Sequence, residues 1–452
     1  MRRVLVANRG EIATRIVRAC FDEGLESVVA VSEADRHSLP ALLADRAIVI
    51  GPARAADSYL SIDRLLAAAQ VTSCDALHPG YGFLSERPEL AAACEENGIT
   101  FVGPSAEVMR RSGDKVTARD LAREIGVPTA AGSDGIETAA EAVAVAEQLG
   151  YPVMLKAAAG GGGRGMAILP GPDELRSRFS TSRAEAEQAF GDGRLYVERY
   201  IARARHVEVQ ILADSQGNIV HLGERDCSCQ RRHQKLVEEA PAPGLPGELV
   251  EGLREAATGL GAALGYVGAG TVEFLVDLET HSFVFLEVNA RIQVEHPVTE
   301  AVTGIDIVRE QLRVAAGEPL SFSQADVELR GHAIECRINA EDPAAGFVPS
   351  PGTVTGWLPP AGTGVRVDTH IREGDEIPPY YDSLVAKVIV HAPDRAAALE
   401  LMRRALGRFR IDGVTTTLPL HRDLMSDDRF VRDAVTTRWV EEDFLPGWET
   451  SH

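Results

Sequence analysis

Apolar and polar residues alternate without a break from position 286 to 295. Leu286, Val288, Ala290, Ile292 and Val294 share one face of an extended chain, and Glu287, Asn289, Arg291, Gln293 and Glu295 share the other. Successive side chains of a strand point to opposite faces, so the pattern predicts a strand over 286–295. An apolar run at 270–278 is separated from 283–288 by the polar turn 279–282, which predicts a hairpin. If the hairpin centres near Thr280, Glu273 lies opposite Glu287 or one place from it.

Strand and helix patterns alternate through the first hundred residues. Strands are expected at 4–7, 27–32, 47–50, 74–78 and 100–102, and helices at 11–22, 62–69 and 88–96. This βαβ rhythm predicts an α/β unit with an open, Rossmann-like parallel sheet. Its turns hold Asn8-Arg9-Gly10 and His78-Pro79-Gly80-Tyr81-Gly82. A new unit begins near Gly113, and residues 131–203 read as a small mobile α+β module with a glycine-rich hairpin. Strand-rich sequence follows at 206–223 and 268–295. Beyond Gly331 come short strands, Pro/Gly turns and a helix at 395–409.

Length and composition narrow the class. A chain of 452 residues should form roughly two to four domains. No apolar run approaches the ~20 residues that span a bilayer, and the first residues show no signal-peptide core. A cytoplasmic enzyme without membrane attachment is expected. The net charge of −21 repels nucleic acid, so basic residues that cluster must act locally. The six cysteines lack a second close pair beside Cys227 and Cys229, which predicts free thiols rather than a zinc site.

Three groups carry candidate chemistry. Residues 157–165 read AAAGGGGRG, preceded by a strand at 152–157 and followed by another at 165–169. With no helix following and no Gly-Lys-Ser/Thr, neither a dinucleotide fingerprint nor a Walker loop fits. A strand–glycine–strand hairpin can still lay backbone N–H groups on phosphate oxygens. Lys156, in the apolar strand before it, needs a counter-charge. The second group is Glu273, Glu287 and Asn289, whose paired carboxylates require a cation, and all-oxygen ligation suits Mg²⁺ or Mn²⁺. At ~7 Å per residue pair, an extended strand would put Glu295 some 26 Å from Glu287. That divides it into a metal end at 287–289 and an anion end at Arg291 and Gln293, which Glu295 joins only if the chain bends at His296-Pro297. The third group, 224–239, holds Arg225, Gln230, Arg231, Arg232, His233 and Lys235. Gln230, His233 and Lys235 carry donors for a phosphate or bicarbonate, whereas Arg231 and Arg232 are expected to be solvated. His206, in the strand 206–212, is read equally as a core histidine or a ligand contact.

Taken together, ANRGEIA, HPGYGFLSE, GDK, GGGGRGM, ERDCS-QRRHQK, GAGTVEF, EVNARIQVEHPVTE and GHAIECRINAEDP resemble biotin carboxylase, the ATP-grasp component of biotin-dependent carboxylases. The likeness runs over nearly the whole chain. It implies an N-terminal domain at 1–113, an ATP-grasp domain at 114–330 that includes the lid 131–203, and a C-terminal biotin carboxylase domain at 331–445. It implies that Lys115, Lys156, Gly162, Gly163, Glu198, Arg199, Tyr200, Ile201, His206, Gln230 and His233 bind ATP, with Glu273, Glu287 and Asn289 holding two Mg²⁺ or Mn²⁺ ions. Lys235, Arg291, Gln293 and Val294 would hold bicarbonate, Glu295 would be its base, and Arg337, with Tyr81 nearby, would bind biotin.

The activity so implied is ATP-dependent carboxylation of biotin through carboxyphosphate, the first half-reaction of an acyl-CoA carboxylase, with acetyl-CoA carboxylase and fatty acid synthesis the expected setting. No methionine is followed by the lysine of a biotin-attachment motif, so biotin is expected free or on a separate carrier protein. A carboxyltransferase partner and a homodimer are implied as well. Ala159, Cys229 and Arg199 depart from residues common in the family, and none removes a chemical group. The competing readings are another ATP-grasp carboxylate–amine ligase and a non-catalytic nucleotide-binding subunit. The final carboxyl acceptor stays open among acetyl-CoA, propionyl-CoA, other acyl-CoAs and pyruvate.

Overall fold

In the computed structural model of the chain, residues 1–133, 135–158 and 166–448 are described. Ala159, Gly162 and Gly163 lie outside them. β1 (Arg3–Val6), β2 (Glu26–Ser32), β3 (Arg46–Gly51), β4 (Ala76–His78) and β5 (Thr100–Phe101) form a parallel sheet in the order β3-β2-β1-β4-β5. The strand order reverses between β1 and β4, so the turns after them share one crevice, where open α/β sheets place ligands. Asn8 ties these turns together by donating from Nδ2 to the carbonyls of Pro79 and Tyr81, both at 2.7 Å. Gly80 is required there, because its φ is +63° and a Cβ would lie 3.0 Å from Asn8 Nδ2.

β6 (Val153–Ala157), β7 (Met166–Leu169) and β8 (Leu195–Arg199) form a small antiparallel sheet in the order β7-β6-β8. The helices Ala139–Leu149 and Pro172–Phe190 cover it, and Val153, Leu155, Leu175, Phe179 and Val197 make a core of its own.

The third sheet positions the chemistry. It runs β13 (Ser282–Asn289), β12 (Gly268–Asp277), β9 (Ala204–Ala213), β10 (Ile219–Arg231), β11 (Gln234–Ala240), β14 (His332–Asn339), then Leu384–Ala392 and Val365–Thr369, antiparallel throughout. Val207, Val209 and Ile211 of β9 and Val272, Phe274 and Val276 of β12 pack under the helix Gly247–Leu264. Burying each such side chain contributes roughly 1.5–3 kcal/mol. The intervening residues His206, Glu208, Gln210, Thr271 and Glu273 face the other way and are buried too. Period two therefore builds an apolar floor beneath a buried polar layer.

The predicted elements of the first hundred residues begin and end within two residues of the observed ones. The strand predicted over 286–295 does not survive: it ends at Asn289, and 290–295 leave the sheet for a turn at Val294-Glu295 before the helix His296–Thr303. Alternation continues for another reason. Ala290 packs in the core beneath the helix Gly247–Leu264, while Ile292 enters a second core with Ile12 and Ile16 of α1 (Gly10–Asp22), Val308 and Leu312. That second core also contains Leu212 and Ala269, so it welds the parallel sheet to the large one. Among the described residues no helix is long and apolar enough to cross a membrane.

Gly331 opens β14 with φ +71°, and a Cβ there would lie 2.3 Å from the Ala392 carbonyl oxygen. Gly331→Ala is therefore expected to destabilise the fold by about 1–3 kcal/mol, read as a lower denaturant midpoint.

Candidate active site

Three glutamates stand abreast on the polar face. Glu273 of β12 pairs with Glu208 of β9 on one side and Glu287 of β13 on the other. Like charges opposed in this way destabilise a sheet unless a cation intervenes. Lys235 supplies it: its Nζ donates to Glu208 Oε2 at 2.6 Å, to Glu273 Oε1 at 3.1 Å and to Glu295 Oε1 at 2.6 Å. His206 Nε2 lies 3.1 Å from Glu273 Oε2, and Lys115 Nζ lies 3.4 Å from Glu287 Oε2.

Glu295 is brought in by the bend at 290–295. Its second oxygen accepts from Arg337 Nη2 at 2.8 Å, while Arg337 Nε donates to Glu238 Oε1 at 2.5 Å. Beneath lies Arg225, wholly buried, donating to Glu208 Oε1 at 2.6 Å, Gln210 Oε1 at 2.8 Å, Thr299 Oγ1 at 3.0 Å and Thr271 Oγ1 at 3.1 Å. Burial works against ionising Glu295 and Glu273. Lys235 and Arg337 nevertheless hold Glu295 well below the usual carboxylate range, and Lys235 and His206 do the same for Glu273. Burial pushes Glu238 up to about 7 against the opposing pull of Arg337.

A second set lies next to this one. Arg291 donates to Glu86 Oε2 at 2.9 Å, Asn289 Oδ1 at 3.0 Å and Gln293 Oε1 at 2.8 Å. Both amides accept from the guanidinium, and among the described residues the buried Asn289 Nδ2 and Gln293 Nε2 donors have no partner. Unpartnered buried donors beside an arginine form a place for an oxyanion.

The remaining predicted residues divide. Lys156, for which a phosphate is the expected counter-charge, lies against Glu198, and Tyr200 accepts from Arg438 Nη1 at 2.8 Å. The Arg199 N–H donates to the Ala131 carbonyl at 2.8 Å, which leaves Ile201 just past the end of β8. The basic run at 224–239 is a hairpin of β10 and β11 rather than one patch. Arg232 and His233 form its two-residue turn, with φ +46° and +64°, and Gln230 pairs with Lys235. Arg231 is not simply solvated, because its guanidinium stacks 3.9 Å from the centre of the Phe347 ring. Tyr81 donates to Glu11, and Glu11 Oε1 lies 3.0 Å from Lys387 Nζ, whose chain neighbour across the sheet is Arg337.

Residues 1–109 match the model for the biotin carboxylase N-terminal domain and 335–442 that for its C-terminal domain. Residues 114–323 match the ATP-binding domain of the carbamoyl-phosphate synthase L chain. A biotin carboxylase of Nostoc sp. is 51% identical over 97% of this chain and 98% of its own length. The chain belongs to the biotin carboxylase family. It has the ATP-grasp fold and is an enzyme, an ATP-dependent ligase. A pyruvate carboxylase subunit of Methanothermobacter thermautotrophicus is 49% identical over 97% of this chain and 89% of its own. The biotin carboxylase domain dimer of Hydrogenobacter thermophilus 2-oxoglutarate carboxylase, crystallised with MgADP, ADP and bicarbonate, superposes with a TM-score of 0.93 at 48% identity, covering 98% of this chain and 97% of that one.

Sequence patterns alone missed Glu208, Glu238, Glu86, Glu11 and Lys387, and placed Arg225 in a basic patch rather than beneath the glutamates. The period-two face of His206, Glu208 and Gln210 was the available signal for the first of these. The donor set fits a divalent cation. Glu273 and Glu287 face each other on paired strands, and His206, Glu208 and Glu273 each offer a ligand atom within 4.8 Å of the others.

Lys235→Met would leave Glu208, Glu273 and Glu295 with only Arg225, His206 and Arg337 for three crowded carboxylates, and is expected to destabilise by about 3–5 kcal/mol at neutral pH. Glu273 and Glu295 are held below their ordinary value of 4.5, so the stability Lys235 confers is present above that value and lost as pH falls through their folded values. Denaturant unfolding should therefore show the full deficit of the variant above pH 4.5 and a shrinking one in acid.

Proposed function

We propose that the enzyme carboxylates biotin borne by a separate carrier protein, using ATP and bicarbonate, as the first half-reaction of an acyl-CoA carboxylase. The observation that carries this reading is the placement of Glu295 between Lys235 and Arg337, with Arg291 and the free amide donors of Asn289 and Gln293 beside it. Lys235, Arg291, Gln293 and Val294 would seat bicarbonate. As Lys235 turns to the incoming anion, Glu295 loses a neighbouring cation and its proton affinity rises toward that of a free carboxylate. It then takes the bicarbonate proton. A bicarbonate oxygen attacks the γ-phosphorus and ADP leaves, a step governed by positioning and charge neutralisation. Carboxyphosphate breaks at its C–O bond to CO₂ and phosphate. Phosphate removes the ureido N1′ proton, and N1′ bonds to CO₂ while Arg337, with Tyr81 nearby, stabilises the charge on the biotin oxygen.

Lys115, Lys156, Gly162, Gly163, Glu198–Ile201, His206, Gln230 and His233 would hold ATP. Glu273, Glu287 and Asn289 would hold Mg²⁺ or Mn²⁺, which supplies positive charge at the phosphates. The unit 131–203 would act as a lid between domains divided at 113 and 330, excluding water from carboxyphosphate. Its separate core supports independent movement. We read the enzyme as cytoplasmic, in keeping with six buried, unpaired thiols, and as a homodimer serving acetyl-CoA carboxylase in fatty acid synthesis. The relatives named for pyruvate and 2-oxoglutarate carboxylases make the final acceptor the open part of that assignment.

The test is ADP release. It should require bicarbonate and rise when free biotin is added, and Arg291→Ala should lower biotin-dependent turnover by at least about a hundredfold. Turnover that ignores bicarbonate, or survives Arg291→Ala intact, contradicts the proposal.

A further inference from the structure

Next to the anion site lies a buried lysine that the proposed reaction does not use. Lys387, in the strand Leu384–Ala392, is fully buried and stands between Arg337 and Asp368 in the registers of its two neighbouring strands. Its ammonium reaches past both. Nζ donates to the Val294 carbonyl at 2.7 Å and lies 3.0 Å from Glu11 Oε1, the oxygen that also accepts from the Tyr81 hydroxyl. Nearby Glu335 is buried with neither oxygen bonded among the described residues, and burial pushes it well above the ordinary carboxylate value. Glu335 therefore does not claim the lysine.

Val294 sits in the turn after β13, beyond the reach of strand pairing. Its carbonyl shares a peptide plane with the Glu295 N–H, so fixing that oxygen orients the whole unit. We propose that Lys387 is a positioning residue for the reaction. Anchored by Glu11, it holds the Val294 carbonyl and so sets the placement of Arg291, Gln293 and Glu295 around bicarbonate. One strand of the C-terminal portion and one helix of the N-terminal portion thereby steady a turn of the ATP-binding portion. This inference rests on reading that pocket as the bicarbonate site.

The wild-type enzyme is assayed first, since failure of bicarbonate to drive its ADP release would contradict the site reading itself. Given that activity, Lys387→Met should raise the KM for bicarbonate about tenfold while the Kd for ADP moves less than about twofold, the scale of one lost charged hydrogen bond. Because that variant leaves Glu11 unpaired in the core, Glu11→Gln/Lys387→Met, which removes both charges, is made beside it and should show the same split. Glu11→Gln alone keeps the shape of the site and should raise the bicarbonate KM about two- to threefold by loosening the anchor; it decides the matter if neither Lys387 variant folds. An unchanged bicarbonate KM in the folded variants overturns the inference. A parallel loss of nucleotide and bicarbonate affinity also overturns it, since that is what a merely structural lysine would give.

Discussion

One ammonium group, Lys235 Nζ, is shared by carboxylates from three different segments: Glu208, Glu273 and Glu295. Much else follows from this. Without it, three buried carboxylates would crowd one face of the large sheet, each with a single basic neighbour in Arg225, His206 or Arg337. With it, β9 and β12, two of the three strands of the glutamate row, and the turn that follows β13 are drawn to one point. The same attraction that stabilises the fold also keeps Glu295 ionised, the state in which it can accept a proton.

The second organising element is Arg225, which meets Glu208, Gln210, Thr271 and Thr299 with its donors and never reaches solvent. It frees Lys235 from having to neutralise Glu208 alone. Arg337 does comparable work from β14, dividing its guanidinium between Glu238 and Glu295. The site is thus a ladder of alternating charge laid across strands from two portions of the chain.

Local pattern made much of this legible. The period-two run at 270–289 announced the hairpin and the opposition of Glu273 and Glu287, because strand geometry fixes which residues face each other. The alternating strands and helices of the first hundred residues announced the parallel sheet. What periodicity could not show was where a strand stops. Residues 290–295 keep alternating because Ala290 and Ile292 are buried in two different cores, so the same pattern covers a strand and a turn. Reading it as continuous strand put Glu295 too far from the metal end, whereas it shares a lysine with Glu273. Glu11, Lys387 and Glu86 were invisible for a related reason: their ion-pair partners lie far away in sequence, and only the packed sheets bring them together.

The central claim is that bicarbonate, seated by Lys235, Arg291 and Gln293 and deprotonated by Glu295, attacks the γ-phosphate of ATP. Turnover with bicarbonate carrying heavy oxygen, followed by mass analysis of the released phosphate, tests it most directly. The account predicts one labelled oxygen in each phosphate, because the attacking oxygen stays on phosphorus when carboxyphosphate breaks. Phosphate free of label would mean that water attacks instead, and would contradict it.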